Sequence, residues 1–387
     1  MLGHLANQSK RWYNRKLRMT GREYPAAESF RILSGFGPNR EADMTLQTIL
    51  QTLTSDAAPA GFESPARETL YGVLKNIGCE VRRDRLGSLL AVRRCGIPNA
   101  PLLMVDAHID EIGLMVTTVD DNGYLKFGAL GGADARIMPD SEVTVLCDPP
   151  IHGVICCLPP HVQSADEMKS FPKLTDLAID CGLTKETAEQ RVLPGTPVVF
   201  QSEPCILLNN RFVSKALDNR LSAAIVICAL ENLQQAALDY DLVFSATTME
   251  EVGGRGAHAA AFGLEPDAAL VLDVTFAEAK NVPADKSFGL DEMTVCVGPE
   301  CDRPLTALIR QTASDLNLTV RPEVCPRSTG TNGSDIQISR AGVPVAVLSV
   351  PIRNMHTPVE LVSMETAENA VRLLTEFLSR LKGGDLL

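Results

Sequence analysis

The 387-residue sequence predicts an α/β chain interrupted by a β-rich insert, and three observations carry that expectation. The runs "YDLVFSATT", "AALVLDVTF" and "VPVAVLSV" are compact and apolar throughout, as strands buried on both faces must be. Helical stretches such as "METAENAVRLLTEFLSRL" space their apolar residues along one face. After Gly113 the character changes to short strands punctuated by Gly and Pro, and it changes back near residue 208.

Residues 1–43 carry eight Lys/Arg against four Asp/Glu and show no apolar periodicity, so we expect a poorly ordered, dispensable extension. From Met44, Leu46, Ile49, Leu50 and Leu53 lie on one helical face. "RETLYGVLKNIG" reads as a second helix, and "SLLAVRR" and "APLLMVDAH" as strands. "GLMVTTVDDNGYLKFGAL" reads as a hairpin turning at Asp121-Asn122-Gly123, with "SEVTVLC", "HGVICCL" and "TPVVFQS" as further short strands. "SKALDNRLSAAIVICALENLQQ" then returns to a loop and helix. The expected division is an α/β domain at 44–111 and 208–387, with a β-rich domain inserted at 112–207.

Composition excludes several classes. A net charge of −12 argues against nucleic acid or an anionic membrane as the partner. No apolar run approaches the roughly 18 residues of a membrane span, and the first residues hold no signal-like apolar core. Eleven cysteines, scattered and without a CxxC pair, read as free thiols of a reducing cytoplasm. No GxGxxG follows a strand, and no GxSxG elbow occurs.

What remains is a set of ligand-type residues at or just past strand ends. His108 and Asp110 follow "LLMVDA", Glu250 and Glu251 follow "LVFSATTM", Asp273 ends "AALVLD", and His356 follows "VAVLSVPIRNM". Asp218 stands in the loop before a helix. Sites in open α/β sheets form outside the carboxyl ends of the strands, so distant residues converge on one rim. Two histidines and three carboxylates suit two zinc-class ions, and one hydroxide would bring Asp218, Glu251, Asp273 and two dications to neutrality. A metal lowers the pKa of bound water toward about 7. Spacing alone leaves open which carboxylate spans both ions, and alternation along "LMVDAHID" leaves Asp106 as an alternative ligand to Asp110. Gly131-Gly132 and Gly253-Gly254 read as turns or close approaches. His4, His152 and His258 read as surface or core residues, and His161 as ordering a loop.

The segments "VDAHIDEIGLMV", "KALDNRLSAA", "TTMEEVGGRGA", "LVLDVT" and "IRNMHTPVE" resemble signature segments of the M42 family of dinuclear metallo-aminopeptidases. The likeness continues through "FPKLTDLAIDCG" and "PGTPVVF" and so covers Met44 to the C-terminus. It implies a mixed-sheet, phosphorylase/hydrolase-like α/β peptidase domain with an inserted β-barrel-like domain. It implies His108, Asp218, Glu251, Asp273 and His356 as ligands of two divalent ions, zinc or cobalt, with Asp218 bridging. Glu250 becomes the general base and Asp110 the outer partner of His108. The expected activity is release of N-terminal residues from short peptides by a bridging hydroxide, in a cytoplasmic homododecamer built from dimers. A deacylase using the same centre is the alternative. A glycoside hydrolase would need two opposed carboxyls and leaves the histidines unused.

Overall fold

The computed structural model describes residues 45–164, 169–280 and 282–386. The extension expected at 1–43 and His4 lie outside the described residues. Thr45 accepts the Thr48 N–H through its hydroxyl and so caps α1 (Leu46–Ser55), whose Leu46, Ile49, Leu50 and Leu53 are buried. α2 (Ser64–Asn76) carries Pro65 in its first turn, where no N–H is missed. β1 (Glu80–Arg83), β2 (Leu89–Arg93) and β3 (Leu102–His108) follow.

Six strands then close into a barrel. They are β4 (Gly113–Val119), β5 (Leu125–Leu130), β6 (Glu142–Val145), β7 (Ile151–Cys156), β8 (Ala178–Asp180) and β9 (Pro197–Phe200), in the order β4-β5-β8-β7-β6-β9. A short helix, α3 (Lys185–Arg191), precedes β9. Leu114, Val116, Phe127, Val143, Ile155 and Val198 belong to the barrel's own core. Closure leaves no unpaired edge. The β4–β5 hairpin turns at Gly123, whose φ of +89° glycine adopts without strain.

The chain continues through β10 (Cys205–Leu207), β11 (Arg211–Ser214), α4 (Leu217–Asn232), β12 (Asp241–Thr247), α5 (Arg255–Leu264) and β13 (Ala268–Phe276). It ends with β14 (Met293–Val297), α6 (Arg303–Asp315), β15 (Val320–Val324), α7 (Gly333–Gln337), β16 (Val345–Ile352), β17 (Glu360–Ser363) and α8 (Met364–Arg380). The eight-stranded mixed sheet runs β1-β2-β12-β3-β13-β16-β14-β15, while β10, β11 and β17 form a small separate sheet. Its centre, β12-β3-β13-β16, is parallel and buried on both faces, which is why those strands are apolar without alternation. α4 is buried from Leu217 to Leu230 and packs against β3, β13 and α8. α5 places Ala257, Ala260 and Ala261 in a core with Met104, Val243 and Val347.

The cysteine expectation needs one correction. Cys296 and Cys325 form a disulfide across β14 and the residue after β15, with Cα atoms 6.3 Å apart. Parallel strand pairing brings these two cysteines together across 29 positions, which spacing could not foretell. The other nine are free.

Candidate metal centre

β12 lies on one side of β3 and β13 on the other, so the chain reverses direction of winding at β3. At this kind of switch point the loops splay apart and leave a crevice beyond the strand ends. His108 is the last residue of β3 and pairs in register with Thr247, the last of β12. Asp273 lies on β13 opposite Ser349. Asp218 and Asn219 have non-helical backbone angles, so the regular helix starts at Arg220 and Asp218 projects from its mouth.

The distances bring these residues together. Asp218 Oδ1 is 3.1 Å from His108 Nε2, and its Oδ2 is 3.2 Å from His356 Nε2. Asp273 Oδ1 and Glu250 Oε2 each lie 3.9 Å from His108 Nε2, and Glu251 Oε1 lies 3.5 Å from His356 Nε2. His108, Asp218 and Asp273 offer donor atoms within 4.8 Å of one another, as do Asp218, Glu251 and His356. Asp218 belongs to both groups; Glu250 belongs to neither.

The turn after β12 is held by acceptors beneath it. Met249 has φ +59°, and Asp110 takes the N–H of Glu250 on one oxygen and of Glu251 on the other, both at 3.1 Å. Its link to His108 runs mainly through the backbone: Nδ1 is 3.1 Å from the Asp110 carbonyl and 3.6 Å from its carboxylate. Asp106 points elsewhere, accepting from Ser245, Thr247 and Asn332, and burial pushes its carboxyl up to about 6. His152 and His161 are exposed on the barrel side of the chain, and His258 is exposed on α5.

Two carboxylates that sequence reasoning passed over support the site. Buried Glu360 accepts the N–H of Asp218 at 3.0 Å and of His356 at 2.8 Å. Glu63 accepts the N–H of Met249 at 3.2 Å. The only signal for Glu360 was its place four residues after His356; Glu63 had none.

Charge is badly balanced here. Burial, then the neighbouring Asp218, raises the Glu251 carboxyl well above its ordinary range. Burial likewise raises Asp273 and Glu250. Burial would raise Asp218 too, but hydrogen bonds from His108 and His356 outweigh it and hold it low. Among the described residues, the lining of the surrounding cavity, about 420 Å³, includes no Lys or Arg. Imidazole and carboxylate donors without a thiolate, crowded with uncompensated negative charge, fit divalent ions of the zinc class.

Comparison with known proteins agrees with this chemistry. The family model described as M42 glutamyl aminopeptidase matches residues 87–373. A lysyl aminopeptidase of Pyrococcus furiosus is 31% identical, the match covering 87% of this chain and 98% of the relative. The crystal structure of a TET aminopeptidase from a marine sediment Thaumarchaeota archaeon superposes with a TM-score of 0.83 at 29% identity, covering 88% of this chain and 98% of that one. The Pyrococcus horikoshii TET1 peptidase, described as assembling into a tetrahedron or a large octahedral shell, gives 0.76 at 27% identity, covering 87% of this chain and all of its own. With fold, rim and family model in agreement, the chain belongs to the M42 peptidase family and is a hydrolase acting on peptide bonds.

Proposed function

We propose that this enzyme is an aminopeptidase that releases N-terminal residues from short peptides at a centre of two divalent ions, zinc or cobalt. His108, Asp218 and Asp273 would hold one ion, and Asp218, Glu251 and His356 the other. The observation that carries the reading is Asp218, whose two oxygens face two different histidines at 3.1 and 3.2 Å. Ions bound there would polarise a scissile carbonyl and lower the pKa of water toward about 7.

The chain's own residues supply the rest. Glu250 stands beside both donor groups without joining either, and burial raises its carboxyl toward the range useful to a general base. It takes the proton of the attacking water and returns it to the leaving amine. Asp110 aims Glu250 and Glu251 through their backbone N–H groups, so the two side chains keep different directions. Glu360 fixes the backbones of Asp218 and His356 relative to each other.

Assembly into a hollow homododecamer belongs to the same reading, as does a cytoplasmic setting. The first experiment compares metal content and turnover of Glu250→Gln and Glu251→Gln on aminoacyl-anilides. Glu250→Gln should keep its metal and lose at least about 100-fold in turnover, the lower range for general acid–base catalysis. Glu251→Gln should lose metal first. The reverse pattern would sink the assignment. Cleavage of N-acylated substrates in preference to free-amine ones would point to a deacylase instead.

A further inference from the structure

Five carboxylates line the cavity: Asp218, Glu250, Glu251, Asp273 and Glu323. The first four are absorbed by the donor groups and the base. Glu323 is not. It sits on β15 at the edge of the sheet, far in sequence from every segment that marks the metal centre, in register with Cys296 of the disulfide. Its Oε1 accepts the Thr275 hydroxyl at 2.8 Å and its Oε2 the Thr294 hydroxyl at 2.7 Å. Both donors are neutral, so the carboxylate is oriented without being neutralised. Each oxygen of a carboxylate has a second lone-pair site, which leaves room for a further donor on either.

Position sets what that donor is. Thr275 lies two residues beyond Asp273 on β13, so the two side chains share one face about 7 Å apart along the strand. A carboxylate held on Thr275 is therefore about one long side chain away from the donor groups. The lining also includes the apolar residues Val274, Phe276 and Met355, and a lysine or arginine stem can lie on apolar surface while its head reaches a polar group. Among the described residues, the lining offers no Lys or Arg that would satisfy an acidic side chain or already pair with Glu323.

We propose that Glu323 is a specificity-determining residue that selects peptides whose N-terminal side chain is cationic. This rests on the aminopeptidase reading above and adds its substrate class. The ammonium or guanidinium of the first residue binds the carboxylate as a charge-assisted hydrogen bond, while an acidic first residue placed there meets the like charge of Glu323. The names of similar proteins do not decide this, since one specifies lysyl and the family description glutamyl.

The test is a panel of lysyl-, arginyl-, leucyl- and glutamyl-p-nitroanilides on the full chain loaded with metal, with Glu323→Gln and Glu323→Lys alongside. The wild type should favour lysyl and arginyl over leucyl by at least about tenfold in kcat/KM, with glutamyl poorest, the size expected when one charged hydrogen bond is made or lost. Glu323→Gln should lower the lysyl-to-leucyl ratio by at least about tenfold, and Glu323→Lys should raise the glutamyl-to-lysyl ratio. Calorimetry with lysinamide and leucinamide reads the same preference as binding, without turnover. A wild type that favours leucyl or glutamyl overturns the proposal, and so does a Glu323→Gln that lowers all four substrates in proportion. Failure to cleave any free-amine substrate overturns the aminopeptidase reading and this one with it. Cleavage without cationic preference overturns this one alone.

Discussion

Gly132 has no side chain because the His356 ring occupies the space one would need. A Cβ there would lie 2.7 Å from Cε1 of the ring and closer still to Nδ1. The ring is about a third exposed, so in Gly132→Ala it can swing aside without breaking the core. We expect that variant to fold normally but to bind metal about 10–100-fold more weakly, the usual cost of disturbing a ligand's orientation. Titration of metal-stripped protein, with circular dichroism as the control, checks this; unchanged affinity would refute it. Sequence marked Gly131-Gly132 as a close approach but could not name its neighbour, because the contact joins residues more than 200 positions apart. Distance in sequence likewise hid Glu63, 186 positions from Met249, while Glu360 had only its place four residues after His356. A carboxylate that serves by accepting backbone N–H groups otherwise looks in sequence like any surface glutamate. Alternation could not separate Asp106 from Asp110 either. Their partners do, since Asp106 takes side-chain donors under the sheet and Asp110 takes the N–H groups of the turn.

Three elements meet on one buried ionic cluster. Glu111, just past β3, lies 2.8 Å from Lys215 and 2.9 Å from Arg220, which flank the start of α4. Arg220 also donates to the carbonyls of Leu53 and Asp56 at the end of α1, and to that of Ile109. Burial alone would raise the Glu111 carboxyl, but two cations outweigh it and hold it below the ordinary range. Lys215 is lowered because burial and the neighbouring Arg220 together exceed the pull of the shared carboxylate. Glu111→Gln leaves two buried cations without a counter-charge, and we expect a loss of about 3–5 kcal/mol at pH 7 by urea unfolding. The sign with pH follows from the lowered carboxyl. Its stabilisation is complete above the unfolded value of 4.5 and is lost as pH falls through the lower folded value. The variant should therefore lack that part of the acid limb, and an unchanged acid limb would count against the cluster. Among elements, the central strands were legible because burial on both faces makes them apolar without interruption. β15, "VRPEV", was not: Pro and charge are tolerated at an edge, and only pairing with β14 makes it a strand. Glu323 and the Cys296–Cys325 bridge were hidden for the same reason.

At the scale of the whole molecule, the barrel and the sheet were both foreshadowed by the change of texture after Gly113, whereas assembly left no such mark. The structure adds one feature that bears on it. Ile206, Leu207 and Leu208 at the β10–β11 hairpin are exposed, Leu208 at 89%, a contiguous apolar tip of the kind that marks contact surfaces. If the proposed shell forms, light scattering should give the mass of twelve 41.7 kDa chains, and Leu208→Asp should shift it toward smaller species. A wild-type monomer at micromolar concentration would rule the shell out. The barrel side of the chain touches the proposed metal centre through two glycines. Gly131, just past β5, sits against Glu251, and Gly132 sits against His356. The insert is consequently no interchangeable cassette. A chimera that borrows a foreign barrel must reproduce this two-glycine footprint or push aside His356, one of the proposed metal ligands.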